Sequence, residues 1–421
     1  MGWRDDWPLT ADGHAYDGQN LFRMAQRGKS PFSGAWDVNL LIKEIEENLQ
    51  VRIIDLPFVD KGSNNYGIHF KTADGKKFVA RLARGDVNMP GYDGFTTERQ
   101  TAEVLFEAAT YKLLQSESDI KASLLLYSRG PIDLPGPKAH IPSSIVGRRL
   151  FVFDRAEGKN NVWKELSADN KLHLLTQLSR IRASLFNFPL PPSFTTSHLH
   201  SRLFDFKPDA FTVPITPTRA FWLHVMTSKI EATVRNEDDP IGWEDDNETV
   251  GPVALAAKHT LLRALPYLLP HGNEDRLYRF VLEHGDFGIH NTSIMIDKDG
   301  RPEVTSLYDW ETGNIVPAIL SDPLVAVDPV DLVVDAEGMA GLERVPEAST
   351  EEEMGEYGRW TEWYVQKLYE HSPDYDDAIK AGKDIRYLWF ALRDWRGGDS
   401  EAFFGGLGEW AERRLFELGI E

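Results

Sequence analysis

The chain contains no cysteine, which excludes disulfides, thiolate nucleophiles and cysteine-ligated zinc or iron–sulfur centres and gives no support to an oxidising compartment. A reducing cytoplasm is the expected setting. No apolar run approaches the roughly 18 residues of a membrane span. The opening MGWRDDWPLT lacks the basic and apolar regions of a signal peptide. Positive charge is scarce: 46 Lys and Arg face 66 Asp and Glu, a formal net charge of −20 that repels nucleic-acid phosphates and anionic membranes. Neither nucleic acid nor a membrane is expected as a partner. Internal repeats and low-complexity tracts are absent too.

What is present is ordinary globular material, 421 residues with 42% apolar and 27% charged side chains, enough for two to three domains at about 150 residues each. Residues 1–36, rich in Gly, Asp and aromatics, show no clear period and read as an irregular extension. Apolar residues at helical spacing between Trp36 and Leu49 predict a short amphipathic helix. Strand-like runs follow at 51–59, 66–72 and 77–83, the last two joined through Asp74-Gly75, a hairpin signal. After a Gly/Pro-rich loop at 85–96, residues 98–115 predict a strong helix, and strands return at 123–128 and 148–154. Beyond Gly158 the character becomes helical, with Ser167 a good N-cap and further helices expected at 219–235, 252–268, 351–370 and 375–395. One β interruption, at 293–308, folds about Asp297-Lys298-Asp299-Gly300. The expected class is α+β: a small antiparallel sheet with one inserted helix, then a larger, mainly α part.

The densest chemistry is LEHGDFGIHN, with His284, Asp286 and Asn291 spaced H-x-D-x-x-x-x-N, followed after the hairpin by Asp309 in YDWE. Phosphoryl transfer needs such a set: one carboxylate to orient the attacking hydroxyl and take its proton, and an amide and a second carboxylate to hold Mg²⁺ on the ATP phosphates. The motifs HGDFGIHN and DWE, with SDPLVAV downstream, resemble those of the aminoglycoside phosphotransferases and their choline-kinase relatives, small-molecule kinases of the two-lobed protein-kinase fold. The resemblance implies Asp286 as catalytic base, Asn291 and Asp309 as metal ligands, His284 as a prop of the loop, and Asp322 as the start of a helix.

It extends upstream in order, from about Val51 to about Asp331. Ser63, Asn64, Asn65 and Tyr66 stand where the family has its nucleotide-covering loop. Arg81 stands where protein kinases have a strand lysine, a replacement shared with choline-kinase-like members, and a guanidinium can bind phosphate bidentately. Its expected partner is Glu107, in FEAATYKLL, with Glu103 one turn away as the alternative. Phe153 and Arg155 mark the hinge that grips adenine through backbone groups. The implied organisation is an extension and helix at 1–50, an N-lobe at 51–152, a hinge at 153–158, and a C-lobe at 159–421 carrying an acceptor-binding insert at 195–250.

The function implied is transfer of the ATP γ-phosphate, with Mg²⁺, to a hydroxyl of a small molecule. Acidic residues at 236–248 interleaved with Trp243 suit a hydroxylated amine. A nucleotide-binding pseudokinase is the alternative, favoured by Arg81. A metal-dependent hydrolase using His284, Asp286, His290 and Asp309 is a further one.

Overall fold

The computed structural model describes residues 7–84, 96–132, 145–204, 206–234, 247–395 and 397–420. The loop expected at 85–96 falls almost wholly outside them. So does the acidic stretch at 236–248, apart from the backbone of its last two residues.

The chain forms two units, residues 1–158 with 305–311, and residues 159–304 with 312–421. In the first, helices α1 (Leu21–Gln26) and α2 (Val38–Leu49) precede strands β1 (Ile53–Lys61), β2 (Asn65–Thr72) and β3 (Lys77–Ala83), helix α3 (Thr97–Leu114), and strands β4 (Leu125–Arg129) and β5 (Leu150–Asp154). The strands make one antiparallel sheet in the order β1-β2-β3-β5-β4. Period-two alternation along β3 buries Phe78, Ala80 and Leu82 on one face and leaves Val79 and Arg81 only partly exposed on the other. Helix α2 starts where Asp37 accepts from the Asn39 amide, and it buries Val38, Leu41, Ile42 and Ile45.

Residues 7–36, expected as an irregular extension, are instead part of this unit's core. Trp7 stacks on Tyr66 with ring centroids 5.5 Å apart, Phe32 on Trp36 at 5.0 Å, and Trp36 approaches Tyr66 at 5.4 Å. The fully buried Arg148 ties the segment to the sheet, donating to the Ala35 carbonyl at 2.8 Å and to Ala83 at 2.9 Å. The segment had no readable period because its aromatics meet one another through turns rather than along one helix or strand.

The second unit holds α4 (Ala168–Asn187), capped by Ser167 as expected, then α5 (Pro192–His198), α6 (Arg219–Thr233), α7 (Asn247–Leu268) and α8 (Glu274–Leu277). Strands β6 (Phe280–Glu283) and β7 (Thr292–Ile296) flank the HGD motif. Strand β8 (Pro302–Leu307) pairs with β7, and its last residues count with the first unit. Strand β9 (Asn314–Pro317) pairs with β6, while β10 (Val325–Ala326), β11 (Asp331–Val334) and β12 (Ala340–Glu343) form a three-stranded sheet.

Helix α9 (Glu351–His371) begins with a capping box between Thr350 and Glu353. The helix expected over 375–395 is two, α10 (Pro373–Ala381) and α11 (Lys383–Asp394), because the chain breaks at Gly382, where a Cβ would meet the Ile319 carbonyl at 2.5 Å. A last helix, α12 (Ser400–Glu417), was not expected. Asp322 does not start a helix: it follows a 3₁₀ turn at Ala318–Leu320, and its side chain caps a turn by accepting from the Leu324 amide. Among the described residues no helix is long and apolar enough to cross a membrane.

Because Trp36 is wholly buried among aromatics, Trp36→Ala should cost about 3–5 kcal/mol of stability. Urea denaturation measures this. A loss below about 1 kcal/mol would mean that residues 7–36 are a separable appendage.

Candidate active site

The sequence-selected residues fall into one cluster in each unit. In the first, Arg81 on β3 and Glu107 on α3 are brought together by packing of the helix on the partly exposed face of the sheet. Arg81 Nη1 donates to Glu107 Oε1 at 3.0 Å. Glu103 is not the partner, since it pairs with Arg149 at 3.3 Å and lies 3.7 Å from Arg99. Arg81 Nη2 also donates to Asp309 Oδ1 at 2.7 Å and lies 3.7 Å from Glu311.

One guanidinium therefore faces three carboxylates. Burial alone would weaken the arginine's hold on its proton, but Asp309 and Glu107 outweigh it, and Arg81 holds its charge more tightly than usual. Glu107, buried, is pushed up to about 7, first by loss of water and further by Asp309 and Glu311, with Arg81 opposing.

Two residues that sequence reasoning did not select complete the cluster. The Tyr111 hydroxyl accepts from the Asp309 amide at 2.9 Å and approaches Glu107 at 3.4 Å. Glu311, the last residue of DWE, accepts from the Asn64 side chain and lies 3.6 Å from Arg149. Tyr111 is one helical turn beyond Glu107, which is the signal that could have found it. Asp309 itself sits at φ +70°, a left-handed conformation that costs a non-glycine residue of order 1 kcal/mol and is best tolerated by Asp and Asn.

The loop expected to cover nucleotide is narrower than 63–66. Gly62, Ser63 and Asn64 form the turn, in which the Gly62 amide donates to the Asn65 carbonyl at 3.0 Å. Arg84 braces the turn by donating to the Gly62 carbonyl at 3.1 Å. Ser63 is exposed, while Asn65 already pairs with Ala83 in the sheet. The Tyr66 side chain is turned into the aromatic core, so it is withdrawn from a covering role.

Phe153 is buried against Tyr111, centroids 4.8 Å apart. The amides of Asp154 and Arg155 donate to Leu124 and Lys77 at 3.0 Å, so those N–H groups are spent in the sheet, and the Arg155 side chain is exposed.

In the second unit, β6 delivers the HGD loop and a 3₁₀ turn at Ile289–Asn291 closes it. Gly285 has φ +80°, and a Cβ there would stand 2.1 Å from the Thr312 carbonyl oxygen, so only glycine lets the two segments approach. Phe287 and Ile289 anchor the loop in the core. Asp286 is left half-exposed, with His290 Nε2 3.0 Å from its Oδ1. Asn291 donates to its Oδ2 at 3.0 Å and to its carbonyl at 2.9 Å.

Hydrogen bonding to His290, against the effect of burial, holds the Asp286 carboxyl below its usual range, and Asn291 adds to this. The carboxylate is thus ionised at neutral pH. His284 is fully buried, as a structural residue would be. Among the described residues no three His, Asp or Glu side chains gather as a metal site, the arrangement a hydrolase reading requires.

No protein-family model and no curated protein matches the chain. Similar solved structures are small-molecule kinases. The streptomycin–ATP–APH(2")-IIa ternary complex is 11% identical with a TM-score of 0.42, covering 91% of this chain and 99% of that one. The ADP-bound aminoglycoside phosphotransferase APH(2'')-Ib gives 11% and 0.43, covering 89% and 97%. A microcompartment-associated aminopropanol kinase gives 14% and 0.40, covering 91% and 99%. These fits are too loose to carry a function across, which has to come from the chain's own residues.

Gly285→Ala should destabilise the second unit by at least about 2 kcal/mol, because strain at positive φ adds to a backbone clash. Thermal or urea unfolding tests it, and an unchanged midpoint would mean the close approach to Thr312 is dispensable.

Proposed function

We propose that the protein is an ATP- and Mg²⁺-dependent phosphotransferase that phosphorylates a hydroxyl of a small molecule, a kinase of the aminoglycoside phosphotransferase type. The observation that carries this reading is the cluster about Arg81: the guanidinium is held by Glu107 and bonded to Asp309, residues that phosphoryl transfer needs for distinct tasks and that plain structural packing has no cause to gather.

The Arg81 guanidinium contacts phosphate oxygens, its direction set by Glu107. The turn at Gly62–Asn64 lies over the nucleotide, tied to Glu311 through Asn64. Asp286, ionised and fixed between His290 and Asn291, orients the acceptor hydroxyl and takes its proton as the new oxygen–phosphorus bond forms and the bond to the bridging oxygen of ADP breaks.

The Asp309 carboxylate and the Asn291 amide oxygen are hard oxygen donors of the kind Mg²⁺ takes. Asn291 would use Oδ1, its nitrogen being donated to Asp286. A metal taken by these donors would neutralise charge on the phosphates.

Arg81 in place of lysine does not favour a pseudokinase, since it has the glutamate partner that aims it and keeps its charge. The acidic residues at 236–248 that suit a hydroxylated amine lie outside the described residues, apart from the backbone of the last two.

Asp286→Asn should leave ATP affinity nearly unchanged and lower turnover by about 10² or more, read by radiolabelled γ-phosphate transfer. Full activity in that variant would sink the mechanism. Asp309→Ala should abolish Mg²⁺-dependent nucleotide binding, and calorimetry showing Mg-ATP bound equally well by variant and parent would remove Asp309 as a metal ligand.

A further inference from the structure

The second unit contains a cavity of about 280 Å³ beside the HGD loop, bordered by Gly285 and Phe287 on either side of Asp286. It is smaller than the about 300–1,000 Å³ of drug-sized sites. Two of its lining side chains are buried with hydrogen-bonding capacity unused. Asn314, 6% exposed, has an Oδ1 with no partner, and Arg182, 3% exposed, has an Nε–H with no partner that meets hydrogen-bond geometry. A buried donor or acceptor left unpaired keeps its full desolvation cost, so a group that satisfies both is favoured.

The two belong to one constellation. Glu283 pairs with Asn314 across the β6–β9 ladder, which puts both side chains on the same face, and Glu283 Oε2 accepts from Arg182 Nη1 at 2.8 Å. Arg182 is held further by donation to the Leu324 carbonyl at 2.9 Å and by lying over the Phe287 ring at 4.7 Å.

The charges here cancel, one guanidinium against one carboxylate. An ammonium could donate to Asn314 but would sit beside Arg182. A carboxylate could accept from Arg182 but would face Glu283 and the Asn314 oxygen. A hydroxyl donates to one and accepts from the other without charge.

The rest of the wall is acidic: a single guanidinium, Arg393, lies 2.8 Å from Asp394 and 3.4 Å from Asp322, and Trp389 adds an apolar face. Carboxylates accept from hydroxyls, and an aromatic face covers the C–H face of a sugar-like ring.

Resting on the kinase reading above, we infer that the cavity is the acceptor subsite and that the acceptor is a small neutral polyol, one hydroxyl presented to Asp286 and a second seated between Arg182 and Asn314.

The test is direct binding to the full-length protein, measured by calorimetry and thermal shift without ATP. The probes are a panel of tetritols, pentitols, hexitols and aldoses, set against 2-amino-1,3-propanediol and glycerate. At least one polyol should bind saturably and more tightly than the amine or the acid. Asn314→Leu should weaken it tenfold or more, and Asn314→Asp, which keeps an acceptor oxygen, should weaken it less. Tighter binding of the amine or the acid, no saturable polyol binding, or equal affinity in Asn314→Leu and parent would overturn the inference. Asn314→Asp keeps the test readable if the leucine variant fails to fold. Mg-ATP titration of the parent protein separates the two readings: ATP binding without polyol binding defeats only the acceptor assignment, while absence of both defeats the kinase as well.

Discussion

A single guanidinium organises the first unit. Arg81 is mostly buried, and a buried charge is stable only when it is paired and hydrogen-bonded. Glu107 meets it from α3 at 3.0 Å, and Asp309 meets it from a segment 228 residues away in the chain at 2.7 Å. The position of the DWE motif thus depends on Arg81 as much as on the strand that delivers it. The arrangement carries an excess of negative charge that keeps Arg81 protonated, while burial first, and Asp309 and Glu311 after it, make Glu107 harder to ionise than an ordinary glutamate. An arginine restrained by carboxylates stays charged and fixed in direction.

The second unit depends on close backbone approach instead. Gly285 lets the HGD loop lie against Thr312, and Gly382 lets α10 turn into α11 against Ile319. Each is a place where any side chain would collide with a carbonyl. Between these contacts runs the buried Arg182–Glu283 pair, with Ser321 and Tyr375 hydrogen-bonded in sequence behind Glu283. This network ties the end of β6 to its neighbours three residues before Asp286. The same network leaves Asn314 unsatisfied, which marks the cavity beside it.

Local chemistry was legible where the physical cause is local. The Asp-Gly hairpin, the Ser167 cap, the period-two strands and the helix carrying Glu107 follow from turn stereochemistry, capping and hydrophobic period, all properties of a few adjacent residues. Residues 7–36 were illegible because their aromatics cohere only in three dimensions. The break at Gly382 was illegible because its cause, the Ile319 carbonyl, lies far off in the chain. That the Asp154 and Arg155 amides bond to Leu124 and Lys77 was illegible for a similar reason, as a sequence does not say which backbone amides a sheet consumes.

The sequence by itself determined the α+β order of elements and the chemical groups on offer: the HGD and DWE motifs, Arg81 and the two glutamates of α3 are identities at set spacings, and chemistry follows identity. Only the tertiary structure decided that Glu107 rather than Glu103 takes Arg81, that Tyr111 and Glu311 join them, that Tyr66 is core rather than covering loop, and that Arg182 and Asn314 border one cavity. Both glutamates lie on one face of a helix, and which of them meets the arginine depends on how that helix packs on the sheet. Packing of this kind is set by the sum of many weak contacts across the whole chain, and no short stretch of residues contains it.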